Sequence, residues 1–136
     1  MLMKKRLITL SLLLITLAAC SPPDYGTKLS FNNGELYFTQ NVTESEALRL
    51  GNFLVEDGFF YGEKITVQLD KAEDTYLFRM VTTEGTEDNQ DYIAEAKKST
   101  GVLSKNVFHD APVNFHICDD RLKTKTEIQF TPILAN

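Results

Sequence analysis

The densest grouping of chemically capable side chains is His109, Asp110, His116, Cys118, Asp119 and Asp120. Imidazole, thiolate and carboxylate together are the donor set for zinc or copper. His116 and Cys118 are two residues apart, so on a strand they point to the same face. With Asp119 they are the candidate metal ligands. The pattern lacks the Cys-x-x-Cys pair and the spaced His pair of a structural zinc site, and His109 stands well before the strand. The expectation is therefore a strand with a solvated histidine that ends in an Asp-rich turn, with no metal. A cysteine beside a histidine is also the material of a nucleophile and its base. At i and i+2, however, they stand about 6–7 Å apart at the backbone, and nothing nearby marks an oxyanion hole. No catalytic residue and no cofactor is expected. Glu84, Glu87, Asp88 and Asp91 lack the alternating spacing of a calcium loop and read as the acidic start of a helix. No phosphate-binding glycine loop, nucleophile elbow or His-Glu-x-x-His motif occurs.

The elements around these residues are legible from hydrophobic period. Glu35–Thr39 follows the turn pair Asn33-Gly34 and has strand-forming residues. Thr43 with Glu46 forms a capping box, and Ala47, Leu50, Gly51 and Leu54 repeat at helical spacing, with Gly58 as a left-handed stop. That places a helix over 44–57. Lys64–Asp70 alternates as a half-buried strand, and Thr75–Thr82 returns from a polar turn with apolar residues on both faces, as an interior strand does. Asp88 or Asn89 caps a second helix over 89–106, with Ile93, Ala96, Thr100, Leu103 and Val107 on one stripe. Gly101 inside it marks a close approach to the sheet or a break. Val113–Cys118 and Leu122–Phe130 complete the set, with Lys123 and Lys125 suited to an exposed edge.

The order is β-α-β-β-α-β-β. It predicts an α+β domain with two helices on one face of a mostly antiparallel sheet, a ferredoxin-like variant with one added edge strand. Thr66, Gln68, Arg79, Asn114 and His116 then share the other face, the candidate interaction surface.

The N-terminus reads differently. Lys4, Lys5 and Arg6 precede an apolar run from Leu7 to Ala19. Thirteen helical residues reach about 20 Å, short of the ~30 Å hydrocarbon core, so the run fits a secretory signal better than a membrane span. Leu17-Ala18-Ala19-Cys20 resembles the lipobox of bacterial lipoproteins, matching at every position. That resemblance implies cleavage before Cys20, diacylglycerol on its thiol and a further acyl chain on its amine. Two or more long chains, each buried CH₂ contributing about 0.8 kcal/mol, anchor a protein stably. By the same resemblance, Ser21 implies the outer membrane in a Gram-negative envelope, and otherwise the outer face of the plasma membrane. If Cys20 carries lipid, Cys118 has no disulfide partner, and a buried small hydrophobe is its expected role.

The expected organisation is a signal peptide over 1–19, a lipidated Cys and short tether over 20–30, one α+β domain over 31–131 and a tail over 132–136. The folded part is also similar to a small bacterial domain of unknown function that recurs in exported and membrane-linked proteins. The likeness runs through Glu35-Leu36-Tyr37, Leu50-Gly51, Gly58-Phe59-Phe60, Val67-Gln68-Leu69, Ala111-Pro112-Val113 and His116–Asp119, and it implies no ligand.

The whole chain of 136 residues has a formal net charge of −5, which becomes −8 once Lys4, Lys5 and Arg6 are removed. Such a domain lacks the basic stripe that nucleic acid requires. An anionic lipid surface would repel it, so acyl chains rather than charge must hold it to a membrane. The expected function is a membrane-anchored lipoprotein with a small non-catalytic binding domain, whose partner is a neutral or cationic envelope component such as an envelope protein. The competing expectation is a small envelope enzyme or metal-handling protein using His116, Cys118 and nearby aspartates.

Overall fold

The computed structural model describes residues 24–134. Cys20 and the expected signal peptide over 1–19 lie outside the described residues. Six strands and two helices follow in the order β1 (Thr27–Phe31), β2 (Gly34–Phe38), α1 (Glu44–Glu56), β3 (Thr66–Ala72), β4 (Thr75–Val81), α2 (Gln90–Asn106), β5 (Val113–Cys118) and β6 (Thr124–Ile128). No helix among the described residues is long and apolar enough to cross a membrane. The protein is α+β, as expected.

Local chemistry sets the element ends. Thr43 caps α1 by accepting from the Glu46 amide at 3.1 Å, and Asn89 caps α2 by accepting from the Tyr92 amide at 3.1 Å. Gly58, at φ +82°, takes the left-handed conformation just past α1, where a Cβ would be strained. Asn32 and Asn33, at φ 46° and 69°, make the two-residue turn between β1 and β2. Asparagine tolerates that geometry better than most residues, and it suits a tight hairpin.

The strand β1 replaces the last four residues of the expected tether. Thr27–Phe31 pairs antiparallel with β2 along its full length, so the folded domain begins before residue 31. Only Leu29 and Phe31 give this segment an apolar period, and its residues are largely exposed at the sheet edge, which hides a strand from pattern reading.

The sheet runs β1-β2-β3-β4-β5-β6 in sequence order. Neighbours alternate antiparallel and parallel: β2 with β3 and β4 with β5 are parallel, and the other three pairs are antiparallel. This differs from the expected ferredoxin-like order, in which each helix carries the chain past a neighbouring position. Here each helix joins adjacent strands. Residues of α1 and α2 meet over Phe78 and Phe115, so both helices cover one face. The two parallel pairs run in opposite directions while the chain keeps moving the same way across the sheet. One of the two crossovers is therefore left-handed, against a strong general preference.

One core lies between the helices and the covered face. Leu36, Val67, Leu69, Phe78, Val113 and Ile117 rise from the strands to meet Ala47, Leu50, Leu54, Ala96 and Leu103. Phe60, in the long α1–β3 connection, fills the space above Gly34, where a Cβ would stand 2.3 Å from its ring. Tyr76 stacks on Phe108 at 4.0 Å between centroids. Gly101 does allow a close approach, but to the C-terminal segment rather than the sheet. A Cβ there would lie 2.6 Å from the Thr131 carbonyl, and Thr131 donates its amide to Thr100 Oγ1 at 2.9 Å. Residues 131–133 thus lie against α2, with Pro132 and Ile133 exposed.

Candidate functional site

The uncovered face of the sheet carries Thr66, Gln68 and Asp70 from β3, Leu77, Arg79 and Val81 from β4, and Asn114, His116 and Cys118 from β5. The strand registers place them side by side: Gln68 opposes Arg79, and Arg79 opposes His116. All five residues of the candidate interaction surface share this face. It is not simply open, because Gln68, His116 and Cys118 are buried. Two short segments roof it.

The first roof is a strap formed by residues 24–26. Asp24 Oδ1 accepts from the Gly26 amide at 2.9 Å. Gly26 has φ +95°, and a Cβ on it would stand 2.1 Å from the Phe38 carbonyl oxygen, so only glycine lets the chain press this closely on β2. The Tyr25 ring packs edge-on against Tyr37 at 5.4 Å, and its carbonyl accepts from Gln68 Nε2 at 2.9 Å.

The second roof is the loop 119–123. Asp119 Oδ1 accepts from the amides of Arg121 and Lys123, both at 2.9 Å. Those backbone bonds, that of Lys123 first, hold the Asp119 carboxyl below the ordinary range. Asp119 therefore builds this loop. Leu122 turns inward with φ +59° and is buried.

A hydrogen-bonded chain ties the roofs together. Gln68 Oε1 accepts from Arg79 Nη1 at 2.8 Å, and Arg79 Nη2 donates to the Leu122 carbonyl and, at 3.0 Å, to Thr124 Oγ1. Thr124 Oγ1 lies 2.8 Å from His116 Nδ1. Arginine can only donate, so Thr124 Oγ1 accepts from it and keeps both a proton and a second lone pair for Nδ1; the other ring nitrogen is Nε2. That nitrogen is buried without a hydrogen-bond partner, 3.8 Å from Glu127 Oε1. Burial is the main influence on the ring and holds its pKa below the ordinary histidine value. Glu127 opposes this, Arg79 adds to it, and Asp70 opposes it.

The metal and nucleophile candidates do not converge. Cys118 is fully buried, and its thiol approaches the His116 carbonyl at 3.5 Å rather than the imidazole. Burial pushes the thiol pKa up, the opposite of what an activated nucleophile needs. His109 sits apart and accepts from Arg49 of α1 at 2.8 Å. Among the described residues no group of three or more His, Cys, Asp or Glu side chains could hold a metal ion. In the acidic segment, Glu87 instead pairs with Lys125 of β6 at 3.0 Å.

Between the roofs lies a cleft of about 500 Å³, whose walls include Tyr25, Tyr37, Glu35, Lys64, Thr66 and Leu122. The Glu35 carboxylate is four-fifths buried on its floor. It accepts from Thr66 Oγ1 at 3.3 Å and is flanked by the ammonium groups of Lys28 at 3.3 Å and Lys64 at 3.7 Å. Sequence reasoning found Thr66 but missed Tyr25, Glu35, Tyr37 and Leu122. Glu35 and Tyr37 share parity along β2, a signal that becomes useful only once the pairing of β2 with β3 is known. Tyr25 was hidden in a segment that reads as tether.

The sequence matches AF_1994_N, a family N-terminal domain, over residues 28–129, and the chain belongs to that family. No curated protein and no solved structure matches the chain.

Proposed function

We propose that the protein is a lipid-anchored component of a bacterial envelope whose α+β domain is a non-catalytic binding module, with the roofed cleft as its recognition site. The observation that carries this reading is the short distance between two features of the chain. Leu17-Ala18-Ala19-Cys20 has the form of a lipobox, and the strap fastened to Gln68 and Tyr37 begins at Asp24. Four residues of extended chain reach at most about 14 Å. An acylated Cys20 would hold the cleft close to the bilayer, on the outer membrane of a Gram-negative cell or the outer face of the plasma membrane otherwise. The domain's negative charge disfavours nucleic acid and anionic lipid as ligands, which leaves a neutral or cationic envelope component.

Cys20→Ala tests the anchor. The wild-type protein should incorporate labelled palmitate and fractionate with membranes, and the variant should do neither. A variant that still takes up palmitate or still partitions with membranes overturns the reading.

A further inference from the structure

We infer that the cleft between the strap and the 119–123 loop binds a neutral saccharide. The inference rests on the binding-module reading above and names its ligand class. A cleft of about 500 Å³ is in the range that encloses small ligands. Its chemistry selects among them.

The charges at the cleft balance. Glu35, Asp120 and Lys64 line it, and Lys28 pairs with Glu35 from the neighbouring strand, giving two charges of each sign. An anionic ligand would meet the two carboxylates, and a cationic one the two ammonium groups. A purely apolar ligand would strip water from Glu35 with nothing in return, a penalty that buried charge does not tolerate. A polyhydroxylated neutral ligand avoids all three costs. Its hydroxyls can donate to Glu35 and to Thr66 Oγ1, whose own proton goes to Glu35, and accept from Lys64 and the tyrosine hydroxyls. Its C–H faces suit the paired rings of Tyr25 and Tyr37, since tyrosine offers an apolar body with a polar tip. Val81 and Leu122 add a small apolar patch for a methyl group such as that of an acetamido sugar.

The full chain, solubilised in a detergent without a sugar head group, is titrated calorimetrically with N,N′-diacetylchitobiose, with maltose, and with the deacetylated, cationic chitobiose. Saturable binding of at least one neutral disaccharide by about 10 mM is expected, weaker binding of the cationic one, and a loss of at least about tenfold in affinity for Glu35→Gln and Tyr25→Ala. Glu35→Gln keeps the side-chain shape, so it serves if Tyr25→Ala loosens the strap. The proposal is overturned if neither neutral sugar binds, if the cationic sugar binds as well as the neutral ones, or if Glu35→Gln leaves affinity unchanged. Cys20→Ala should bind the sugar as the parent does, so failure of the anchor and failure of the cleft are read in separate assays.

Discussion

Replacing Arg79 with Met should loosen the roof over Cys118. The guanidinium holds Gln68 Oε1 at 2.8 Å, the Leu122 carbonyl, and Thr124 Oγ1 at 3.0 Å. Water can replace the contact to Thr124, which is exposed. The other two acceptors belong to the buried residues Gln68 and Leu122, and each left without a donor costs about 1 kcal/mol, the low end of the range for buried groups. Methionine retains the apolar stem, so packing changes little. The expected loss is about 2 kcal/mol, or roughly 10 °C in Tm for a domain of this size. The sharper consequence is local. Leu122 stands at φ +59°, an uncommon conformation for a residue with a Cβ, and Arg79 is what its carbonyl binds. Without that bond the 119–123 loop opens more often. In the parent protein the Cys118 thiol is fully buried and its pKa is raised by burial, so a disulfide reagent should reach it only on opening. Lowering the opening free energy by about 2 kcal/mol should speed native-state labelling about 30-fold. Labelling is followed at the Cys118 peptide by mass, which separates it from Cys20. If Arg79→Met keeps the parent's labelling rate and melts at the parent's temperature, the hydrogen-bonded chain is not what closes this face.

Two further perturbations test the packing and the buried imidazole. Gly51→Ala should gain about 1 kcal/mol of helix propensity but place a Cβ 2.2 Å from the Phe31 ring. Overpacking costs of about 1–3 kcal/mol win, so the urea midpoint should fall, whereas in a Phe31→Ala background Gly51→Ala should no longer lower it; a rise for Gly51→Ala alone contradicts the packing. His116 is neutral and its folded pKa lies below the unfolded value near 6.5, so protonation favours unfolding. Its contribution to stability is complete above pH 6.5 and is lost as pH falls through the folded value, and His116→Gln should flatten that part of the stability–pH curve. An unchanged slope below pH 6.5 in His116→Gln would place the titration elsewhere.

Much of the fold is local and therefore legible. Thr43, Asn89 and Gly58 act where their chemistry predicts, and β5 spans Val113–Cys118 as the alternation of Val113, Phe115 and Ile117 requires. What was not legible is non-local. Strand order depends on which partner each strand finds, and the element order pointed to a ferredoxin-like arrangement that this chain does not adopt. β1 was lost because an edge strand buries little and so carries little period. The candidate face was identified by parity along β3, β4 and β5, but its roofs were not. Tyr25 and Leu122 act through backbone carbonyls, and a carbonyl leaves no mark in the sequence.

Those two carbonyls make the opposite walls of the cleft a single unit. Tyr25 O is held by Gln68, Gln68 by Arg79, and Arg79 holds Leu122 O, so three side-chain to main-chain or side-chain to side-chain bonds run from strap to loop. A ligand that wedges the strap outward must break the Gln68 bond, which frees Gln68 Nε2 beneath it and relaxes the partner that positions Arg79. A ligand that fits between walls already set at the right separation pays no such cost, because the ordering entropy was spent on folding. The geometry therefore favours a rigid, preformed site whose width is fixed by β3 and β4. At the rim, the exposed side chains of Lys64 and Asp120 are left free to adapt to what enters.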